Sequence, residues 1–316
     1  MAMAQTNKTQ LKARKAAVKL VAKKKTIRTA PLASVVIGTH NDGPYIERCI
    51  EALKAQSFKN FECIIIDDAS TDNAPKILAA INDVRFIVHR VNKNIGISRG
   101  RNLGVSKARG KYILFTDGDC EPHPDWIKEA VAVLSSGVEF AEGRVVYVSE
   151  AFRPLFSDRV VDNLTGGLYL GANIICTRKG FEKIQFNPEF DGQEDRDWAM
   201  RVQLATNKMP VWAPSVLVYH QRKRWTIKQY LRESKRVEKK IRIMKLYGDR
   251  YEGRTRILYF GRLALLVFPP LMLIMILNGR VRTWADLRLL PFSWVRAVYE
   301  RALIWRSAVR ERFFVI

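Results

Sequence analysis

Two aspartates separated by a single glycine, Asp117 and Asp119, end the apolar run "YILFT". Carboxylate oxygens are the ligands that Mg²⁺ and Mn²⁺ prefer, and the glycine lets the backbone turn so that both side chains can face one space. Without a cation, two carboxylates this close would repel each other. The pair therefore predicts a divalent-cation site, in which the metal acts as a Lewis acid toward phosphate oxygens.

Short apolar runs alternate with helical stretches and would place this pair at the end of a strand. Strands are predicted at 33–40, 61–70, 84–90, 111–119 and 140–148. Helices are predicted at 43–58, 74–82, 96–110 and 124–136. Apolar strands separated by helices are typical of βαβ units, so the predicted fold class is α/β, with a Rossmann-like, mixed but mostly parallel sheet flanked by helices.

Polar residues follow three of the predicted strands at the point where each strand ends. They are Thr39-His40-Asn41, Asp67-Asp68 and Asp117-Gly118-Asp119. A single acid at a strand end is usually a helix cap or a turn former. The carboxyl ends of parallel strands form the ligand crevice of such sheets, so three polar ends together favour a binding site.

A nicotinamide-dependent dehydrogenase is the main alternative for a chain of βαβ units. Its GxGxxG turn should follow the first strand, but here that strand ends in "GTHNDGPY", with the wrong glycine spacing. The P-loop pattern GxxxxGK[ST] is missing as well. A bound cation is the remaining means of holding phosphates.

The net charge of +23 is concentrated in the two flanks of the chain. Residues 1–30 carry nine Lys or Arg and no acid, and residues 221–316 carry 23 Lys or Arg against seven acids. Residues 31–220 are nearly neutral, with 22 basic and 24 acidic side chains. The flanks therefore indicate an anionic membrane surface or a polyanion as partner. The four cysteines form no CxxC pair, which favours reduced thiols in a cytoplasmic setting.

Several motifs, taken in order along residues 33–220, resemble those of the family 2 glycosyltransferases with the GT-A fold. They are "SVVIGTHND", "IIIDDASTDNA", "NKNIGISRGRNLGVSKARGKYILFTDGD", "GANIICTRKGF" and "FDGQEDRDWAMRV". The resemblance implies transfer of a sugar from a nucleotide-sugar donor, with a UDP-sugar as the first choice, and inversion at the anomeric carbon. It also implies Mn²⁺ or Mg²⁺ as the cofactor.

The resemblance assigns roles to individual residues. Nucleotide-sugar binding is expected from Thr39, Asn41, Asp68, Asn94, Arg101 and Asp117. Asp68 is expected to accept a hydrogen bond from the nucleotide base, and Asp117 to contact ribose or the metal. Asp119 is expected to ligate the metal directly, with His220 as a further metal or diphosphate contact. The adjacent basic residues 222–224 are expected to grip phosphates or, alternatively, to form a solvated basic run.

The segment "QEDRDWAMR" supplies the candidates for the catalytic base. Inversion by a single displacement needs one base, which takes the proton from the acceptor hydroxyl. The resemblance favours Asp195 in that role, with Glu194 as the second catalytic candidate. Acids in the first turn of a helix also favour its dipole, so Glu194 and Asp197 are alternatively capping residues.

The C-terminal third reads as a set of membrane-associated helices. Residues 225–248 form a basic amphipathic pattern, with docking on the catalytic domain as the alternative to a membrane surface. The apolar run 257–277 contains Arg262 and a Pro-Pro pair, which favours a re-entrant or interfacial element over a kinked span. In the tail, Val295, Val298, Ala302, Trp305 and Val309 lie on one helical stripe.

These patterns predict a basic flexible arm at 1–30, a GT-A catalytic domain at 31–220 and membrane-associated helices at 221–316. The acceptor is expected to be a lipid-linked or other glycan at the cytoplasmic face of the cell membrane, and a homo-oligomer is left open. The alternatives are a nucleotidyltransferase, and a nucleic-acid-binding protein with a Rossmann-like core.

Overall fold

The computed structural model describes residues 30–148, 154–248, 270 and 273–313. In chain order its first half contains β1 (Ala33–Thr39), α1 (Ile46–Lys54), β2 (Phe61–Asp67), α2 (Ala74–Ala79), β3 (Phe86–Arg90), α3 (Ile97–Lys107), β4 (Tyr112–Asp117), β5 (Cys120–Pro122), α4 (Trp126–Ser135) and β6 (Phe140–Tyr147). Its second half contains β7 (Asp158–Arg159), β8 (Ile174–Thr177), α5 (Arg178–Lys183), α6 (Glu194–Thr206), β9 (Val211–His220), β10 (Lys223–Arg224), α7 (Ile227–Arg232), α8 (Arg236–Tyr247), α9 (Leu273–Leu277) and α10 (Trp284–Arg310).

Eight strands form one mixed sheet in the order β3-β2-β1-β4-β8-β6-β9-β5. The strand β1 lies between β2 and β4 and is parallel to both. Its register sets Thr39 opposite Asp67 and Gly38 opposite Asp117. The predicted meeting of the polar strand ends at one edge of the sheet is therefore confirmed.

Apolar side chains on both faces of the central strands hold the helices against the sheet. Successive residues of a strand point to opposite faces. Val35 and Ile37 accordingly pack into a cluster with residues of α1 and α4, whereas Val36 packs on the other side with Val105 and Trp198. This explains why the strands read as continuous apolar runs rather than as an alternating pattern.

The far end of the sheet curls back toward β4. Only two residues separate β4 from β5, yet β5 lies at the opposite edge of the sheet, where it pairs with β9. That antiparallel pairing sets Cys120 opposite His220. The curl therefore brings the end of β9 to the strand ends that carry the aspartates.

The apolar stripe of residues 225–248 is covered by protein, and its C-terminal part packs on the catalytic domain, as the alternative predicts. Membrane association of the basic side chains in this segment stays a prediction. Tyr230, Val237 and Ile241 on this stripe are buried. Val237 and Ile241 pack against two aliphatic side chains of α10, Leu303 and Ile304. The amphipathic pattern alone could not distinguish these two partners, because both bury the same apolar face.

The C-terminal helix α10 begins ten residues earlier than the tail pattern at 294–314 predicts. Thr283 and Asp286 form a capping box at its start, and Asp286 also accepts from the backbone and hydroxyl of Ser157. Pro291 lies inside the helix. A proline at this position removes one backbone donor, and its side chain lies on the exposed face of α10.

The prediction for the apolar run 257–277 lies mostly outside the described residues. Its last five residues form the short helix α9, in which Leu273, Ile274 and Leu277 are exposed. Within the described ranges, no helix has both the length and the apolar character that a membrane crossing requires.

Candidate active site

Among the described residues, Asp119, Cys120 and His220 form a group whose side chains could hold a metal ion, referred to below as the metal-binding group. One ligand atom from each lies within 4.8 Å of the others, and all three side chains are buried. Asp119 Oδ2 is 3.5 Å from His220 Nε2. Asp119 lies in the turn after β4, Cys120 begins β5, and His220 ends β9 about a hundred positions later. The β5–β9 pairing holds the three together.

The ring of His220 is oriented with Nε2 toward Asp119. Its Nδ1 is 3.0 Å from the carbonyl oxygen of Gln221, so Nδ1 carries the proton of this contact. In a neutral imidazole Nε2 is then an acceptor, the state in which histidine binds metals. In that neutral form two acceptor atoms face each other, an arrangement that a cation between them would stabilise.

This donor set fits Mn²⁺ or Mg²⁺. Burial raises the pKa of the Cys120 thiol well above its usual value, so this side chain stays protonated and is a poor ligand. The carboxylate of Asp119 and the imidazole of His220 remain as ligands. Because Mn²⁺ and Mg²⁺ take several oxygens, phosphate and water would complete their coordination.

The ammonium group of Lys223 contacts the same carboxylate. Its Nζ lies 2.5 Å from Asp119 Oδ2 and 2.8 Å from Asp42 Oδ1. The other oxygen of Asp42 accepts from the hydroxyl of Thr39 at 3.0 Å. The basic run 222–224 therefore places at least one of its side chains in the site rather than in solvent.

The charges in this cluster shift one another's pKa values. Burial alone would raise the pKa of Asp119, but His220 and Lys223 lower it to about 2. Burial raises the pKa of Asp42, and Lys223 only partly offsets this. Burial alone would lower the pKa of Lys223, but Asp119 and Asp42 raise it well above its usual value. Asp119 is therefore a carboxylate, and Lys223 an ammonium ion, throughout the neutral pH range.

Gly118 has no room for a side chain between the two aspartates. A Cβ at this position would lie 2.9 Å from Thr39 Oγ1 and 3.0 Å from Asp42 Oδ2. Close approach of the chain to the end of β1 is therefore the reason that glycine separates Asp117 from Asp119.

Arg101 on α3 joins Asp117 to the start of α6. Its Nη2 donates to Asp117 Oδ1 at 2.6 Å, and its Nη1 donates to Glu194 Oε1 at 3.0 Å. Arg101 is almost wholly buried. Gly171 lies against the guanidinium, since a Cβ there would come within 2.2 Å of Nη1. Both terminal nitrogens of Arg101 are thus engaged by protein carboxylates.

The two candidates for the base have different surroundings. Glu194 is buried, and burial followed by the charge of Asp195 raises its pKa to about 7 against the opposing effect of Arg101. Asp195 is half-buried, and its Oδ2 accepts from the backbone of Gly171 at 3.2 Å. Asp195 is therefore the more accessible carboxylate, and Glu194 is held by its arginine.

The remaining predicted binding residues line the loops after β1, β2 and β3. Asp68 accepts from the backbone amides of Ile95 at 2.7 Å and Gly96 at 3.0 Å, so it fixes the loop that carries exposed Asn94. Asn41 Oδ1 accepts from the amide of Thr71 at 2.7 Å. Asp68 and Asn41 thus shape the loops, and their contacts with a nucleotide stay a prediction.

The structure separates the predicted residues into two groups. Asp119 and His220 come together, whereas Asp117 lies with Arg101 and Glu194 and is not part of the metal-binding group within the described ranges. The predicted site omitted Asp42 and left Lys223 with two alternatives. Asp42 directly follows the Thr39–Asn41 segment, and this position at a strand end was the available signal.

Comparisons with known proteins show the family to which the chain is similar. A family model described as "Glycosyl transferase family 2" matches residues 34–202. The chain is 29% identical over 180 residues to UDP-Glc:alpha-D-GlcNAc-diphosphoundecaprenol beta-1,3-glucosyltransferase WfaP of Escherichia coli, a match that covers 53% of this chain and 68% of that protein. It is 28% identical over 126 residues to Glycosyltransferase AglE of Haloferax volcanii, covering 38% of this chain and 41% of that protein. The match to AglE therefore spans less than half of that protein's length.

A solved structure confirms the predicted GT-A fold. Mannosyltransferase PcManGT from Pyrobaculum calidifontis, in complex with GDP-Man and Mn²⁺, is similar with a TM-score of 0.55 and 17% sequence identity. The similarity covers 90% of this chain and 88% of that one. These comparisons give no support to the nucleotidyltransferase or nucleic-acid-binding alternatives.

Proposed function

The chain belongs to glycosyl transferase family 2, and from this premise we propose that it is a metal-dependent inverting glycosyltransferase acting on a lipid-linked acceptor at the cytoplasmic face of the membrane. The observation that carries the proposal is the approach of Asp119 to His220, within 3.5 Å, at the carboxyl ends of the parallel strands of the mixed sheet. Ligands bind at this edge in open α/β sheets.

Asp119 and His220 would hold Mn²⁺ or Mg²⁺ against the diphosphate of the donor. When bound, the cation neutralises the charge that develops on the departing nucleoside diphosphate. Lys223 and Asp42 flank the same position, and the loops fixed by Asp68 and Asn41 would hold the nucleoside. A UDP-sugar is the first candidate donor, since the name of the Escherichia coli relative specifies UDP-Glc, and a GDP-sugar is the second, from PcManGT.

Asp195 would act as the base that removes the proton from the acceptor hydroxyl. Its half-buried carboxylate at the start of α6 has one oxygen on the amide of Gly171 and lies next to Glu194 in the sequence. Arg101 connects this helix to Asp117 on the donor side. A single base is sufficient for direct displacement with inversion, because no covalent sugar–enzyme intermediate is needed.

A lipid-linked acceptor is proposed from the surface of α10. One face of this helix packs on α8, and the opposite face exposes an apolar stripe formed by Trp284, Leu287, Trp294, Val298, Trp305 and Val309. Arg306 and Arg310 lie beside the stripe and are more than half exposed. Exposed tryptophans next to arginines suit the headgroup region of an anionic membrane, so we assign this face to a lipid surface.

The proposal is tested by a donor screen. Purified protein is incubated with individual nucleotide sugars, Mn²⁺ or Mg²⁺ and a bacterial lipid extract, and both the released nucleotide and the lipid-extractable labelled sugar are measured. Release of a nucleoside diphosphate together with sugar in the lipid fraction is expected. Pyrophosphate as the product would instead show a nucleotidyltransferase, and no turnover of any sugar nucleotide would contradict the proposal.

A further inference from the structure

The ammonium group of Lys223 lies close to the position that a metal ion on Asp119 would occupy. Its Nζ is 2.5 Å from Asp119 Oδ2, and the same oxygen is 3.5 Å from His220 Nε2. Divalent cations of this type lie about 2.0–2.2 Å from their oxygen ligands. An ion bound by Asp119 Oδ2 and His220 Nε2 would therefore be within a few ångströms of the ammonium, where two positive charges repel each other strongly.

Lys223 is held in this position by more than one contact. Asp42 Oδ1 accepts from Nζ at 2.8 Å, and the ring of Tyr45 lies beneath Nζ at 4.7 Å from its centroid. The side chain is 17% exposed, unlike an ordinary surface lysine. Its backbone is fixed as well, since β10 pairs Lys223 with Arg159 of β7. The surrounding residues therefore hold the ammonium group in a defined position at the site.

Asp42 gives Lys223 a second partner that does not depend on Asp119. The two carboxylates share one ammonium, so Asp119 Oδ2 can be released while the contact with Asp42 Oδ1 is kept. The hydroxyl of Thr39 holds the other oxygen of Asp42 and so keeps this partner in place. A short displacement of Nζ toward Asp42 would expose Asp119 Oδ2 to an incoming ion.

We propose that Lys223 competes with the divalent cation for Asp119, so that the metal binds tightly only when the ammonium has moved off Asp119 Oδ2. The inference rests on the proposed metal role of Asp119 and adds a second, covalently attached cation to that site. In the donor-free protein Lys223 neutralises Asp119. When the donor binds, its diphosphate supplies negative charge near the ammonium and favours the arrangement with the metal on Asp119.

The test is the affinity of the donor-free protein for Mn²⁺ alone, measured by electron paramagnetic resonance of the free ion. Lys223→Met is expected to bind Mn²⁺ at least about tenfold more tightly than the unchanged protein, because a like charge within 4–6 Å has been removed. Lys223→Arg keeps the charge and is expected to stay within about threefold of the unchanged protein. Arg224→Met removes the same charge from the neighbouring exposed side chain and is also expected to stay within about threefold, since exposed charges are screened.

Asp119→Asn is included, alone and combined with Lys223→Met, to locate the ion. If Lys223→Met binds Mn²⁺ with unchanged or weaker affinity while Asp119→Asn still abolishes binding, the competition is refuted and the proposed metal site stands. If Asp119→Asn binds Mn²⁺ like the unchanged protein, the metal site itself, and with it the proposed function, is wrong. Thermal unfolding checks the fold of each variant, and Lys223→Gln replaces Lys223→Met if the latter is unfolded.

Discussion

Arg101 Nη1 lies 3.0 Å from Glu194 Oε1, and both side chains are almost wholly buried. The same guanidinium binds Asp117 at the end of β4. A buried arginine thus connects the end of β4, where the acids proposed to face the donor lie, to the helix that carries the proposed base. Through these two contacts Arg101 holds the end of β4 and the start of α6 at a defined separation.

Replacement of Arg101 should destabilise the protein strongly. Arg101→Met leaves Asp117 and Glu194 without their common partner, and removing one member of a buried ion pair costs roughly 3–5 kcal/mol. Urea denaturation measures the loss in the free energy of unfolding. Arg99→Met on the exposed face of the same helix is the control, with an expected change within about 0.5 kcal/mol. Equal effects of the two substitutions would show that the bridge contributes nothing specific.

Glu194 should make stability fall as the pH rises. Burial raises its pKa from 4.5 to about 7, so between these values the folded protein holds a proton that the unfolded chain has released. The stabilisation from this group is present below pH 4.5 and is lost as the pH rises through about 7. Unfolding free energies at about pH 5 and about pH 8 should therefore differ by roughly 1–3 kcal/mol more in the unchanged protein than in Glu194→Gln. The same pH dependence in both proteins would contradict the raised pKa.

Asp195→Asn should separate donor binding from sugar transfer. The amide keeps the shape of the side chain but cannot accept the proton of the acceptor hydroxyl, so transfer should fall by about 100-fold or more. Donor affinity, measured by calorimetry, should stay within about threefold, because the donor-side residues are unchanged. Glu189→Gln, an exposed acid shortly before α6, is the matched control with near-normal transfer. Near-normal transfer by Asp195→Asn would move the base to another residue.

The exposed stripe of α10 should control membrane binding. Val298→Ser combined with Trp305→Ser removes two apolar side chains that are 39% and 57% exposed. Sedimentation with anionic phosphatidylglycerol vesicles should show at least about tenfold weaker partition, since each lost apolar contact is worth on the order of 1 kcal/mol. Leu204→Ser on α6, where the leucine is 52% exposed, is the control and should leave partition unchanged. Equal binding by all three proteins would assign the stripe to a different partner, such as a second copy of the chain.

The apolar runs of the central strands carried enough information to predict the arrangement of the polar strand ends. Continuous runs such as "SVVIG" and "CIII" require a sheet covered on both faces, and parallel pairing then brings Thr39, Asp67 and Asp117 to one edge. The approach of His220 to Asp119 depends on the antiparallel pairing of β5 with β9. No local pattern encodes a contact between residues so far apart, and only the resemblance to a family indicated it.

Other features depend on tertiary packing that the sequence pattern leaves open. In the sequence, Asp42 follows a strand end and Lys223 belongs to a basic run. Neither pattern predicts that the two side chains form an ion pair, which only the folded structure shows. The stripe of α8 and the stripe of α10 are both amphipathic patterns, yet the first is buried against protein and the second is exposed. Periodicity shows which face of a helix is apolar and does not identify what covers that face.

The most direct test of the proposed activity compares the unchanged protein with Asp119→Asn in the release of nucleoside diphosphate from the preferred donor with Mn²⁺ present. Release of the nucleoside diphosphate is expected to stop in EDTA and to fall by at least about 100-fold in Asp119→Asn, with an unaltered circular dichroism spectrum. Unchanged release by Asp119→Asn in the presence of EDTA would contradict it, because neither the carboxylate nor the metal would then take part in the departure of the sugar.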